Sequence, residues 1–230
     1  MHEILSIKNL SQFRNFLRYT RKHEGVNKSN RVVYLTIYMN NQAEKSNKSE
    51  SFEDITLANG CFWCTEAIFK RVKGILSVVP GYSGGFLTDP SYDQVCTGET
   101  GHAEAIQIRY DPKIIPLEKL LEIFWHTHDP TTLNRQGNDV GTQYRSAVFY
   151  QTPKQKDTAT AVKEDIEKKK VYSNPIVTEI TPFKNFYPAE KYHKNYYDDN
   201  KNVPYCSYVI DPKVQKLLSK FQESVKDEYL

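Results

Sequence analysis

The chain has 230 residues, enough for one well-packed domain with extensions and short for two enzymatic domains. Mean hydropathy is −0.64 and no apolar run approaches the length of a bilayer span, so a soluble cytoplasmic protein with no membrane partner is expected. The net charge of +3 is unevenly spread: residues 1–50 carry nine Lys/Arg against four Asp/Glu, and the rest 22 against 24. A nearly neutral body demands no nucleic-acid partner. Four cysteines are too few for a disulfide scaffold and suit a reducing compartment in which thiols do chemistry.

In chain order, the first fifty residues stand apart. Arg14, Arg18, Arg21 and Lys22 interleave with Phe13, Phe16, Leu17 and Tyr19, but Glu3, Glu24 and the lack of an apolar core argue against a secretory signal. The apolar run Val32 to Tyr38 is too short to anchor in a bilayer, and the polar tract 40–49 reads as a disordered linker. Met1 and Met39 are the only methionines. Residues 1–50 are therefore expected to be an extension, with Met39 as the physiological start or residues 1–38 as an appendage, ahead of a working domain at 51–230.

Ile55 to Ala58 reads as a strand, followed by a turn at Cys61 and a helix through Arg71 that stops near Gly74. Leu76 to Tyr82 and Ala105 to Tyr110 alternate as strands, and Pro116 opens a helix with Leu117, Leu120, Leu121, Phe124 and Trp125 on one face. Tyr144 to Tyr150 reads as a strand, Pro153 to Lys170 as a charged helix, Ile176 to Ile180 as a short strand, and Asp211-Pro212 as the start of a last helix. That order predicts an α+β layering, helices over a mixed sheet.

Gly60-Cys61-Phe62-Trp63-Cys64 is the most informative stretch. A cysteine at a strand-to-helix turn meets free N–H groups and the positive end of the helix dipole, which favour a thiolate. Phe62 and Trp63 suit the wall of an apolar pocket beside the sulfur better than a solvent-facing turn. Three other readings stand beside this one: a buried structural Cys, half of a zinc site, or a thioredoxin-type redox pair. Zinc lacks a second ligand pair at matching spacing, since Cys96 and Cys206 are isolated and no His-x₃₋₅-His follows.

Further motifs follow in order: Pro80-Gly81-Tyr82-Ser83-Gly84-Gly85, the run Pro90 to Cys96, Thr100-Gly101-His102-Ala103-Glu104-Ala105, Phe124 to Pro130, Arg135 to Ala147, and Phe186 to His193. Together these resemble the peptide methionine sulfoxide reductase A family, over roughly residues 53 to 210. The resemblance implies a ferredoxin-like two-layer sandwich with extra helices and a long C-terminal coil. It implies a monomeric enzyme, free of any bound cofactor, that reduces methionine (S)-S-oxide in oxidised proteins or peptides and is recycled by thioredoxin or another dithiol.

By that resemblance Cys61 is the nucleophile, Glu104 the proton donor to the sulfoxide oxygen, and Tyr92 and Tyr144 hydrogen-bond donors to the same oxygen. Asp139 lies near the thiol, and Phe62 and Trp63 hold the methyl group on sulfur. Val140 stands where many relatives carry His. The sulfenic acid left on Cys61 needs a second thiol. Cys206 matches the family's resolving position in the C-terminal coil and is preferred, while Cys64, where many relatives carry Gly, stays open. Cys96 reads as a buried cysteine, and His102, His126, His128 and His193 as structural histidines. The rivals are a disulfide oxidoreductase using Cys61 and Cys64, and a non-catalytic sulfoxide- or zinc-binding module.

Overall fold

A computed structural model describes residues 52–230, so the expectations for residues 1–50 lie outside the described residues. Strand β1 (Glu53–Asn59) runs through a fully buried apolar stretch into helix α1 (Phe62–Lys70). Strand β2 (Ile75–Ser83) returns, and a capping box between Ser91 and Gln94 starts the short helix α2 (Tyr92–Cys96). Strand β3 (Ala103–Tyr110) leads to α3 (Leu117–His126), whose buried face carries Leu120, Leu121, Phe124 and Trp125. A hairpin of β4 (Arg135–Gln136) and β5 (Asp139–Val140) precedes β6 (Ser146–Tyr150) and α4 (Pro153–Lys168), with Pro153 in its first turn and Thr152 as its cap. Then come β7 (Glu179–Pro182), β8 (Phe186–Pro188), the single turn α5 (Tyr196–Asp199) and α6 (Asp211–Lys220).

Among the described residues six strands form one sheet in the order β7-β6-β1-β3-β2-β8. All neighbours are antiparallel except β6 and β7, which makes the sheet mixed. Its two faces differ in side-chain size. Ile55, Leu57, Ile106, Ile108, Tyr110 and Val148 join the helices in the main core. The opposite face carries Ala58, Ala103, Ala105 and Ala147 around Phe149. Alternation along β3 puts Glu104 on the same face as Ile106 and Ile108, under the start of α1.

Several predicted boundaries move. Residues Thr142–Tyr144 form a 3₁₀ turn, so Tyr144 precedes β6 and does not lie in it. The strand expected at 176–180 joins the sheet only at Glu179, because the Val177 N–H is taken by the Pro130 carbonyl (2.8 Å) and Thr178 accepts the Trp125 indole N–H (3.0 Å). The stretch around Cys206 is a π-helical turn, Cys206–Ile210, running directly into α6, and not a free coil.

Candidate active site

The turn between β1 and α1 is built around one glycine. Gly60 has φ +93°, and a Cβ there would fall 2.6 Å from the Gln136 side chain. The Asn59 carboxamide bonds the Thr65 hydroxyl, which also donates to the Cys61 carbonyl (3.2 Å). Cys61 is thereby held as the N-cap residue of α1, its carbonyl taking the N–H of Cys64 at 3.1 Å. The next N–H, that of Phe62, has no partner within the helix and donates to Glu104 Oε2 at 3.0 Å. Glu104 is 1% exposed. Burial pushes its pKa up to about 8; the Phe62 N–H opposes that, and the charges of Asp139 and Cys64 add to it.

The thiol departs from expectation. The helix start predicts a lowered pKa for Cys61, but burial raises it, and the adjacent Cys64 sulfur and the Glu104 charge raise it further; only the Tyr205 hydroxyl pulls it down. Cys64, in the first turn of α1, is held low by the hydrogen bond from Cys61, against its burial, with Lys213 helping. The two sulfurs thus share one hydrogen bond, and burial opposes ionisation at Cys61. Tyr205 gives its one hydroxyl proton to Asp139 Oδ2 at 2.8 Å, which ties the C-terminal segment to the β4–β5 hairpin. Cys206 is fully buried beyond Cys64, whose charge it feels.

An aromatic cluster is built on Phe62 and Trp63, the two residues after the thiol. Phe62 is buried with its ring 5.9 Å from Tyr82 and 6.3 Å from Tyr92. Trp63 is half-buried and stacks on Tyr196 at 3.7 Å and 7°, with Tyr205 edge-on at 5.8 Å. Glu66 fixes Tyr196 by accepting the Asn195 N–H (2.9 Å) at the head of α5. Lys70 and Arg71 then bind Asp198 at its end (2.8 and 2.5 Å). Burial and the Glu104 charge raise both Tyr92 and Tyr144, so their hydroxyls stay protonated as donors.

The fold thus gathers Cys61, Phe62, Trp63, Cys64, Tyr92, Glu104, Asp139 and Tyr144, eight of the nine residues the sequence singled out, with Cys206 held in the π-turn. Cys96 does not lie buried as expected: it is exposed, on the last residue of α2, with Tyr92 as its neighbour. The sequence reading missed Tyr205, Lys213 and Glu190. Tyr205 stands beside Cys206 in Pro204-Tyr205-Cys206 but is one of sixteen tyrosines, and nothing local marks it. Glu190 accepts the Tyr82 hydroxyl and the Tyr92 N–H, both at 2.8 Å. A cavity of about 490 Å³, lined by Thr127, His128, Asp129, Gln136, Lys213 and Lys216, borders the site through Lys213 and through Gln136, which packs on Gly60.

The family model for peptide methionine sulfoxide reductase matches residues 53–226. The chain is 56% identical over 171 residues to the peptide methionine sulfoxide reductase MsrA of Sulfolobus acidocaldarius, covering 74% of this chain and 96% of that protein. It is 49% identical over 174 residues to that of Thermus thermophilus, covering 76% and 98%. Among solved structures, the reduced form of Mxr1 from Saccharomyces cerevisiae is similar with a TM-score of 0.62 at 40% identity, covering 67% of this chain and 89% of that one. Methionine sulfoxide reductase A of Corynebacterium diphtheriae gives 0.63 at 34%, covering 67% and 77%. With matches of this extent and identity, the chain belongs to the peptide methionine sulfoxide reductase family.

Proposed function

We propose that this chain reduces methionine (S)-S-oxide, free or in oxidised proteins, with Cys61 as nucleophile and Glu104 as acid. The observation that carries this reading is the Glu104 carboxyl, fixed by the Phe62 N–H one residue from Cys61 and held largely protonated at neutral pH. Its bonded Oε2 leaves the proton to Oε1. In the first step the sulfoxide oxygen passes to Cys61: the methionine S–O bond breaks, methionine leaves as the thioether, and Cys61 becomes a sulfenic acid. Glu104 protonates the oxygen as charge develops, with the Tyr92 and Tyr144 hydroxyls as further donors. The Cys64 thiolate takes the Cys61 proton. A neutral Glu104 also removes one of the charges that holds Cys61 protonated. Phe62 and Trp63 receive the methyl group.

Cys64 is placed better than Cys206 for the second step. Both are buried, but Cys64 shares a hydrogen bond with Cys61, whereas Cys206 is held in the π-turn. This favours Cys64 over the sequence preference for Cys206. Condensation of the sulfenic acid with Cys64 forms the Cys61–Cys64 disulfide and releases water, and a thioredoxin-type dithiol restores both thiols by exchange. The electrons come from that dithiol, with no resident cofactor. We also infer a ferredoxin-like core, supported by the inner order β6-β1-β3-β2 and the β-α-β-β-α-β succession of its main elements. We assign the catalytic domain to residues 51–230, with 1–50 as an extension, acting as a cytoplasmic monomer. Among the described residues no helix is long and apolar enough to cross a membrane.

Peptide mapping after a single turnover tests the scheme. Wild type should release about one methionine per chain from the S epimer and carry a Cys61–Cys64 bridge. Cys61→Ser should release none. Cys64→Ser should complete one turnover, more slowly because the base is lost, and then stall with thioredoxin. A Cys61–Cys206 bridge in wild type would return the resolving role to Cys206.

A further inference from the structure

His193 ends the 3₁₀ turn Lys191–His193 and is 1% exposed. Its Nδ1 lies 3.1 Å from the Trp63 indole nitrogen. An indole N–H only donates, so Nδ1 must be an acceptor and the ring's proton sits on Nε2. Among the described residues that Nε2 has no hydrogen-bond partner; Glu190 Oε2 stands 3.9 Å away and already accepts the Tyr82 hydroxyl. His128 and His102, also buried, behave differently. His128 uses both nitrogens, on the Phe124 carbonyl (2.7 Å) and the Ser146 hydroxyl (2.8 Å). His102 does the same with the Gly85 N–H (3.1 Å) and the Leu87 carbonyl (2.8 Å). A histidine kept for packing alone has no reason to leave a buried donor unmet. The His193 ring also lies 4.9 Å from Phe62 and 4.4 Å from Tyr92.

We propose that His193 is a positioning residue for substrate: by accepting the Trp63 indole N–H it fixes the pocket wall that meets the sulfoxide's methyl group. This rests on the pocket role of Trp63 given above. The groups facing His193 are Phe62 and Trp63 of α1, Tyr92 of α2, and Tyr192 and Glu190 of its own turn; of these only Glu190 carries charge. Burial keeps the imidazole below its usual range, against the Glu190 charge. Protonation turns Nδ1 into a donor and breaks the bond to Trp63, so the bond exists in the neutral ring only.

The test uses the full chain in a Trp125→Phe background, so that Trp63 is the only emitter of the two tryptophans. The substrate is a peptide bearing methionine (S)-S-oxide. His193→Phe keeps a ring without an acceptor and should raise KM about tenfold with kcat little changed, the expected size for one unmet buried donor. His193→Asn places an acceptor oxygen where Nδ1 stood and should recover most of the loss. Trp63 emission should show an acid transition below pH 6.5 that is absent in both variants. A His193→Phe enzyme with wild-type KM, or Trp63 emission that is flat with pH in the wild-type background, would overturn the proposal. Should His193→Phe fail to fold, the KM of His193→Asn and the emission titration decide it. Failure of the reductase reading itself would appear separately, as an inactive parent chain.

Discussion

One carboxyl group does two jobs at the thiol. Glu104 satisfies the first free N–H of α1, and through that bond it stays beside Cys61 without solvent. An exposed glutamate would be ionised at neutral pH; burial is what keeps this one an acid. The protonated form is the active one, so kcat/KM should fall as pH rises through about 8, the value at which Glu104 ionises. Glu104→Gln keeps the acceptor for Phe62 but has no acidic proton. We expect its single-turnover rate to drop roughly 10²- to 10⁴-fold and the alkaline limb assigned to Glu104 to vanish. Stopped-flow measurement across pH 6 to 9 reads both. A rate within a few-fold of wild type would move the proton donor to a tyrosine.

At the scale of elements, α1 is the organising piece. Its first turn holds the two thiols, and its far end clamps α5 through Lys70 and Arg71 on Asp198, keeping Tyr196 against Trp63. The β1–α1 junction tolerates only glycine at position 60. Gly60→Ala meets both positive φ and a 2.6 Å approach to Gln136, whereas Gly137→Ala meets positive φ (+60°) with none of the described residues within 4 Å. The second change should cost about 1–2 kcal/mol, the price of left-handed backbone. The first should cost more and also displace Cys61, lowering activity; urea denaturation with parallel assays separates the two. Equal losses would mean that Gln136 yields freely.

The long elements were legible because their periodicity is strong: β1, β3, α1 and α3 fall within two or three residues of expectation. The β4–β5 hairpin, α2 and β8, of two to five residues each, are too short to carry a period. Cys61, Glu104 and Asp139 were legible from their motifs. Tyr205 and Lys213 were not, because they reach the site from the C-terminal region by packing alone. The state of the thiols was misread for a similar reason. A helix start is visible in sequence, but the burial of Cys61 and its coupling to Cys64 are tertiary.

Over the whole molecule, two buried groups of opposite charge type shape stability against pH. Glu104 holds its proton to about 8 in the fold, against 4.5 as the ordinary value. Between those values the folded state binds more protons than the unfolded one, so the fold is weakened as pH rises. His128, buried between the Phe124 carbonyl and the Ser146 hydroxyl, is held neutral down to about 3, against 6.5. Its contribution is fully present above 6.5 and is lost as pH falls toward 3. From about 4.5 to 6.5 these two slopes oppose each other, and acid loss below that range is sharpened by Asp198, whose pairing with Lys70 and Arg71 holds its pKa low. Glu104→Gln removes one slope and leaves the other. The stability gap between Glu104→Gln and wild type should therefore widen in favour of the variant by about 1.4 kcal/mol per pH unit from pH 5 to 7. Urea midpoints at half-unit steps measure it, in a range where the comparison cancels every other titrating group shared by the two proteins. A gap that stays constant with pH would place the Glu104 pKa at its ordinary value and remove the basis for its role as an acid at neutral pH.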